Sequence, residues 1–263
     1  MPNVSELDVK HQLRDMVDSR RLEKRLNERF VRAMATYHLI EDDDRILVGL
    51  SGGKDSLLLL ELLAKRAKIL HPRFSVEALH VRMENIRYET DTSYLQAFCD
   101  DLGVRLHVRT TRFEMGSPAD ARDARRQKQP CFLCSWMRRK EIFNLAQELG
   151  CNKIALGHHQ DDILHTALMN LCFQSRFASM PARLKMRKMP LTIIRPLCMI
   201  DERDIKAYAE LQGNQKHQKL CPYETDSHRT AIKHLYEEME RISPEVRYSI
   251  WGALEADNKL IEE

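Results

Sequence analysis

The sequence has no apolar run long enough to cross a membrane. Its longest aliphatic stretch, Leu57 to Ala64, is eight residues interrupted by Glu61, against about 20 for a spanning helix. The start, Met1 to Lys10, has no apolar h-region, so neither secretion nor a membrane partner is expected and the chain reads as cytoplasmic. An excess of charge is also missing: a formal net charge of +3 does not by itself announce a nucleic-acid binder. There is no internal repeat and no low-complexity segment. A second C-x-x-C is absent, and with it the usual pattern of a four-cysteine zinc site. Seven cysteines is an odd number in a chain of this kind, which points to reduced thiols or metal ligands and away from a disulfide framework. What remains is 263 residues, 43% hydrophobic and 31% charged, enough for one large α/β domain with helical additions.

Leu22, Leu26, Phe30, Ala33 and Met34 recur at helical spacing, so Ser5 to His38 reads as a helical lead-in packed on a sheet or a partner subunit. Strand-like runs follow at 45–50, 74–81, 104–109, 153–157 and 191–195, with helical patterns between them. That alternation predicts a doubly wound, mainly parallel α/β sheet. A helix near 201–212 precedes a late cysteine loop and a helical tail broken by Pro244. The expected division is a lead-in over 1–40, a nucleotide-binding catalytic domain over 41–215, and the cysteine loop with its tail over 216–263. Thr110 to Pro130 and Phe173 to Pro190 read as long basic loops. Basic residues gather at Arg20, Arg21, Lys24, Arg25 and Arg29, at Arg122, Arg125, Arg126 and Lys128, and at Arg138, Arg139 and Lys140. The first group fits a solvated helix face, and the other two favour a polyanionic substrate.

The stretch ILVGLSGGKDSLLLL, Ile46 to Leu60, reads as buried strand, glycine turn and helix. Gly52 and Gly53 can take backbone angles closed to other residues, so the first N–H groups of the helix converge on an anion. It is not a Walker loop, which needs glycine where this chain has Val48 and Ser or Thr where it has Asp55. A carboxylate beside a polyphosphate is repulsive unless a cation lies between, so Asp55 is assigned to Mg²⁺. In KIALGHHQDDILHT, Gly157 again separates a strand from a helix, with Asp161 and Asp162 in the first helical turn. One of the two acids can cap the helix. The other can orient or deprotonate the substrate while its neighbour completes the Mg²⁺ shell, in either order. His158 and His159 are adjacent and not four apart, which disfavours a metal pair. His80 falls at the carboxyl edge of the sheet, where ligands of such folds bind.

Cys131 and Cys134, in PCFLCSWMRRK, have the spacing that lets two thiolates grip one metal or cluster at the start of a helix. Cys99, Cys151, Cys172 and Cys198 stand singly among apolar neighbours and read as small buried hydrophobes. Cys221 lies in a polar, proline-containing loop. Three such cysteines leave two readings open: a Cys₃His zinc site using His217 or His228, or a [4Fe–4S] cluster with one open iron.

Ser51-Gly52-Gly53-Lys54-Asp55-Ser56 resembles the pyrophosphate loop (PP-loop) of enzymes that split ATP into AMP and pyrophosphate. With CFLCSWMRRK, IALGHHQDDILHT, MPARL, IIRPL and KLCPYETDSHR in this order, the chain from about Leu22 to Leu254 resembles the tRNA 2-thiocytidine synthetase family. The resemblance implies a cluster on Cys131, Cys134 and Cys221 and ATP with Mg²⁺ on residues 51–56. The implied substrate is the cytidine opening the anticodon loop of a tRNA, and the sulfur source a cysteine desulfurase or other donor. Adenylylation of the base carbonyl would precede sulfur transfer, with Lys54 and Arg138 stabilising phosphate charge, and a homodimer is expected. The rival readings are a cluster-free ligase of the same fold, such as a tRNA-lysidine synthase, and a non-catalytic tRNA-binding module holding zinc.

Overall fold

A computed structural model describes residues 6–84, 92–112, 130–213 and 228–263. The basic group Arg122 to Lys128, Cys221 and His217 lie outside the described residues. Helix α1 (Glu6–Thr36) leads into strand β1 (Asp44–Gly49), helix α2 (Lys54–Ala67), strand β2 (Phe74–Met83) and helix α3 (Thr92–Leu102). Strand β3 (Arg105–Thr111), helix α4 (Pro130–Glu148), strand β4 (Lys153–Ala155) and helix α5 (Gln160–Gln174) follow. The remainder is β5 (Arg183–Lys185), β6 (Thr192–Ile194), α6 (Glu202–Leu211), α7 (His228–Ile242), α8 (Val246–Ala256) and β7 (Ile261–Glu262).

The strands form one sheet in the order β3-β2-β1-β4-β6-β5-β7. All pairings are parallel except β5 with β6. From β1 the chain winds outward through β2 to β3, then returns to place β4 on the other side of β1. The β1/β4 boundary is therefore a topological switch point, and the carboxyl ends of those strands open a crevice there. Period-two alternation along β1 builds both layers. Ile46 and Val48 enter the larger core with α1, α2 and α5 residues, whereas Leu47 joins Leu79, Ile154, Leu145 and Ala146 in the core under α4. Helix α2 is submerged from Ser56 to Leu60 and again from Leu62 to Ala64. Each fully buried leucine there contributes about 1.5–3 kcal/mol of transfer free energy, which fixes the helix whose N-terminus forms the site.

The apolar stripe of α1 is buried as its spacing predicts, with Leu26 and Phe30 almost wholly covered. Its basic residues are not simply a solvated face. Arg25 makes a bidentate pair with Asp204 at 2.8 and 2.7 Å, and Arg29 reaches Asp201 at 2.6 Å, so the start of α6 and its N-cap neutralise two of the five cations. The expected loop over 173–190 contains β5, a strand of three residues with no alternating apolar signal that pairs antiparallel with β6. Cys99, Cys151 and Cys198 are buried as expected, but Cys172 is exposed. It lies between Leu171 and Phe173 near the end of α5, where the helix outruns the core and those two neighbours are exposed too. Among the described residues no helix is long and apolar enough to cross a membrane.

Candidate active site

Gly52, at φ +84°, turns the chain from β1 into α2. The turn is held from within: Gly53 N–H donates to Ser51 Oγ at 3.2 Å, Ser51 N–H to Ser56 Oγ at 3.1 Å, and Ser56 Oγ–H to the Gly53 carbonyl at 2.9 Å. Gly53 caps α2 by its backbone with no side-chain bond, so the first N–H groups of the helix stay available to an anion. The β4–α5 turn lies against this N-terminus. A Cβ on Gly157 would stand 3.1 Å from the Asp55 carbonyl carbon and 3.2 Å from Ser56 N. A side chain there would require the two turns to give by a few tenths of an ångström.

Between the turns lies a cavity of about 340 Å³ lined by Ser51, Asp55, Ser56, His80, Gly157 and Asp162, with Arg138 and Ile142 of α4 and Arg229 of α7. Its size suits an adenine nucleotide. His80 is buried in β2 with Nδ1 2.8 Å from the Leu50 carbonyl. A carbonyl only accepts, so this nitrogen carries the proton and His80 fixes the strand end that begins the loop.

Asp161 and Asp162 part company. Asp162 lines the cavity; one oxygen accepts the His159 backbone N–H at 3.1 Å and the other the Arg229 guanidinium at 3.1 Å. Asp161 turns into the protein, where its oxygens accept from Arg247 at 2.7 Å and from the Glu202 backbone N–H at 2.8 Å. Burial alone would raise the Asp161 pKa, but interactions with His159 and Arg247 hold it well below the ordinary carboxylate range. Arg247, on α8, also reaches Gln160, Asp201 and Glu240, each at 3.1 Å.

His159 sits among three acids, with ring nitrogens 3.9 Å from Asp55, 3.6 Å from Asp161 and 3.4 Å from Asp162. Burial opposes its protonation, but the acids outweigh burial and raise its pKa. His158 behaves oppositely: burial, and then the Arg195 charge, lower its pKa to about 4. Arg195 Nε donates to His158 Nδ1 at 3.3 Å, so the neutral ring carries its proton on Nε2. Lys54 does not line the cavity. Its ammonium is 2.9 Å from Asp55 and 3.4 Å from Glu202, which keeps it cationic against the cost of burial.

Among the described residues no three metal-ligating side chains are preassembled. Asp55 and Asp162 nevertheless both come within 4 Å of His159 Nε2, so two carboxylates converge on one point. One or two carboxylates completed by phosphate oxygens is the usual Mg²⁺ arrangement. Cys131 and Cys134 fall near the N-terminus of α4, three residues apart and so on one helix face. The Cys134 side chain is half-buried beside Met83, Leu133 and Met137. This thiol pair suits an iron–sulfur cluster; the side chain of Cys131 and the whole of Cys221 lie outside the described residues.

A glycine turn delivering a helix N-terminus to the switch point of a parallel sheet defines a nucleotide-binding domain, and the PP-loop domain model matches residues 18–234. The tRNA-cytidine(32) 2-sulfurtransferase of Bordetella avium is 35% identical over 238 residues, covering 90% of this chain and 74% of its own. The enzyme of the same name from Pseudomonas syringae pv. tomato is 33% identical over 255 residues, covering 94% of this chain and 91% of its own. Among solved structures, the U34-tRNA thiolase NcsA from Methanococcus maripaludis with its [4Fe-4S] cluster superposes with a TM-score of 0.71 at 25% identity, over 89% of this chain and 79% of that one. The chain belongs to the PP-loop family and, within it, to the tRNA-cytidine(32) 2-sulfurtransferases.

Arg229, Arg247, Glu202 and the ring of His158 are site components that sequence reasoning did not assign. Arg229 and His158 both stand inside motifs that carried the family resemblance, KLCPYETDSHR and IALGHHQDDILHT. Arg247 left no signal of that kind.

Proposed function

We propose that the chain is an ATP-dependent tRNA sulfurtransferase that converts a cytidine of the anticodon loop to 2-thiocytidine at the position its relatives' name gives. The observation that carries the reading is one helix: α4 bears the Cys131/Cys134 pair at its start and, about one and two turns after Cys134, Arg138 and Ile142 in the wall of the nucleotide cavity. On this reading sulfur chemistry and ATP chemistry are neighbours.

The Gly52–Gly53 turn and the first N–H groups of α2 hold the departing pyrophosphate, with Ser51 and Ser56 keeping the loop in shape. Asp55 and Asp162 would hold Mg²⁺, which would supply charge neutralisation on the phosphate oxygens. The cytidine carbonyl oxygen attacks the α-phosphorus, the bond to pyrophosphate breaks, and the base is left adenylylated. Arg138 and Arg229 line the cavity where charge develops on the phosphoryl group. Lys54, paired with Asp55, adds a positive charge beside the loop. The neutral His158 ring offers an Nε2–H donor without adding charge. Asp161 acts through Arg247 and Glu202, holding the α5 turn so that Asp162 keeps its place. A [4Fe–4S] cluster on Cys131, Cys134 and Cys221 would carry the sulfide-level sulfur that displaces AMP, replenished by inorganic sulfide or by a cysteine desulfurase's persulfide together with a two-electron reductant.

The test is pyrophosphate release by anaerobically prepared protein with ATP, Mg²⁺ and unmodified tRNA. Release should depend on tRNA and vanish in Asp55→Ala. Thiolation, but not tRNA binding, should be lost in Cys134→Ala. Full activity of Cys134→Ala would contradict the reading and favour a cluster-free ligase.

A further inference from the structure

A second cavity, of about 600 Å³, opens on the same carboxyl edge of the sheet, between the ends of β2 and β3 and the start of α4. It shares no lining residue with the nucleotide cavity. Glu84, Thr110, Thr111 and Arg112 supply its polar wall, and Leu133, Trp136 and Met137 its apolar one. Trp136 is 50% exposed, whereas Trp251, the other tryptophan, is 7% exposed and belongs to the core. The Lys140 ammonium lies 5.8 Å from the centre of the Trp136 ring. A half-exposed indole flanked by a cation, facing a concavity with hydroxyl, carboxylate and guanidinium groups, has the components of a base-stacking platform.

We infer that this cavity takes an unpaired nucleobase of the substrate RNA, stacked on Trp136, beside the base that is modified. The inference rests on the tRNA reading above. Helix α4 stands between the two cavities: Arg138 and Ile142 face the nucleotide, Leu133, Trp136 and Met137 face the second cavity, and Cys134 lies within the same stretch. A single-stranded loop crossing the start of α4 presents one base to the ATP and thiol side and a neighbour to the indole. A paired stem cannot do so, because its bases are already stacked; sequence-specific recognition of RNA accordingly targets unpaired loops. The polar wall fits the edge of a base: Thr110 and Thr111 can donate or accept, Glu84 accepts from an amino group, and Arg112 donates to a carbonyl or ring nitrogen.

The test measures binding of a labelled anticodon stem-loop, and of the same stem as a blunt duplex, to anaerobically purified wild-type, Trp136→Ala and Trp136→Phe proteins across a salt series. Stem-loop affinity should fall roughly tenfold in Trp136→Ala, the size of one lost base stack, and stay within about threefold of wild type in Trp136→Phe, which keeps a stacking face. Duplex affinity should not change, and neither should the slope of affinity against salt, because no phosphate contact is removed. Stem-loop binding unchanged in Trp136→Ala, equal losses on loop and duplex, a phenylalanine variant as weak as alanine, or a wild type that does not prefer the loop would each overturn the inference. Pyrophosphate release with full-length tRNA, read on the same wild-type preparation, reports separately on the thiolation reading.

Discussion

Arg247→Ala probes how the active-site turn is held from a distance. The guanidinium is 10% exposed and its partner carboxylate on Asp161 12% exposed, with Asp201 and Glu240 around them. Truncation leaves Asp161 as a buried carboxylate held by the Glu202 N–H at 2.8 Å and by the His159 ring at 3.6 Å, without its guanidinium partner. Breaking a buried pair by removing one partner costs about 3–5 kcal/mol. At roughly 2–4 °C per kcal/mol for a chain of this size, Tm should fall by about 6–20 °C. Urea unfolding, extrapolated linearly, supplies the free energy. The comparison is Arg25→Ala, whose pair with Asp204 is 49% exposed on the arginine side and should be worth no more than about 1 kcal/mol. Arg247→Met combined with Asp161→Asn should cost less than the two changes summed, by about 0.5–3 kcal/mol. The pH dependence has a definite sign. The pKa of Asp161 is depressed in the folded chain, so its stabilisation is complete above the ordinary carboxylate pKa and is lost as pH falls below it. Arg247→Ala should therefore shrink the acid-labile part of stability. A variant within about 1 kcal/mol of wild type, with an unchanged acid limb, would refute the reasoning.

Other outcomes follow from single contacts. Asp162→Asn should abolish tRNA-dependent pyrophosphate release with little loss of Tm, whereas Asp161→Asn should lower Tm and reduce activity only partly; the reverse pattern would exchange their roles. Gly157→Ala should lower nucleotide affinity measured calorimetrically, because its Cβ would stand 3.1 Å from the Asp55 carbonyl carbon and push the two turns apart. His158, with its pKa lowered to about 4, should destabilise the protein as pH falls from about 6.5 toward that value, since the unfolded chain binds the proton first. His158→Gln should flatten stability over that window, and an unchanged profile would show that burial of His158 does not govern it.

The pyrophosphate loop could be read from sequence because its determinants are local: glycines that permit the turn, a helix that starts at once, and charges within three residues. The parallel sheet was legible for the same reason, in aliphatic runs such as Ile46 to Val48. Strands β5 and β7, of three and two residues, were not, because too few positions exist to show an alternation. That Asp161 turns inward while Asp162 lines the cavity also lay beyond the sequence. It is decided by Arg247 and Arg229, which are 86 and 67 residues away along the chain and meet the α5 turn only through tertiary packing. Arg25 and Arg29 illustrate the converse: two of the five cations on a helix face that looks solvated are neutralised by the start of α6 and its N-cap, which the linear pattern cannot reveal.

The most direct measurement is nucleoside mass spectrometry of tRNA lacking the modification, after incubation with anaerobically purified protein, Mg²⁺, a sulfur donor, and either ATP or no nucleotide. A cytidine in the anticodon loop should exchange one oxygen for sulfur only when ATP is present, with pyrophosphate released in equal amount, and Asp55→Ala should form none. Thiolation without ATP, or pyrophosphate release that never yields a thiolated base, would contradict the coupling of the two chemistries along α4.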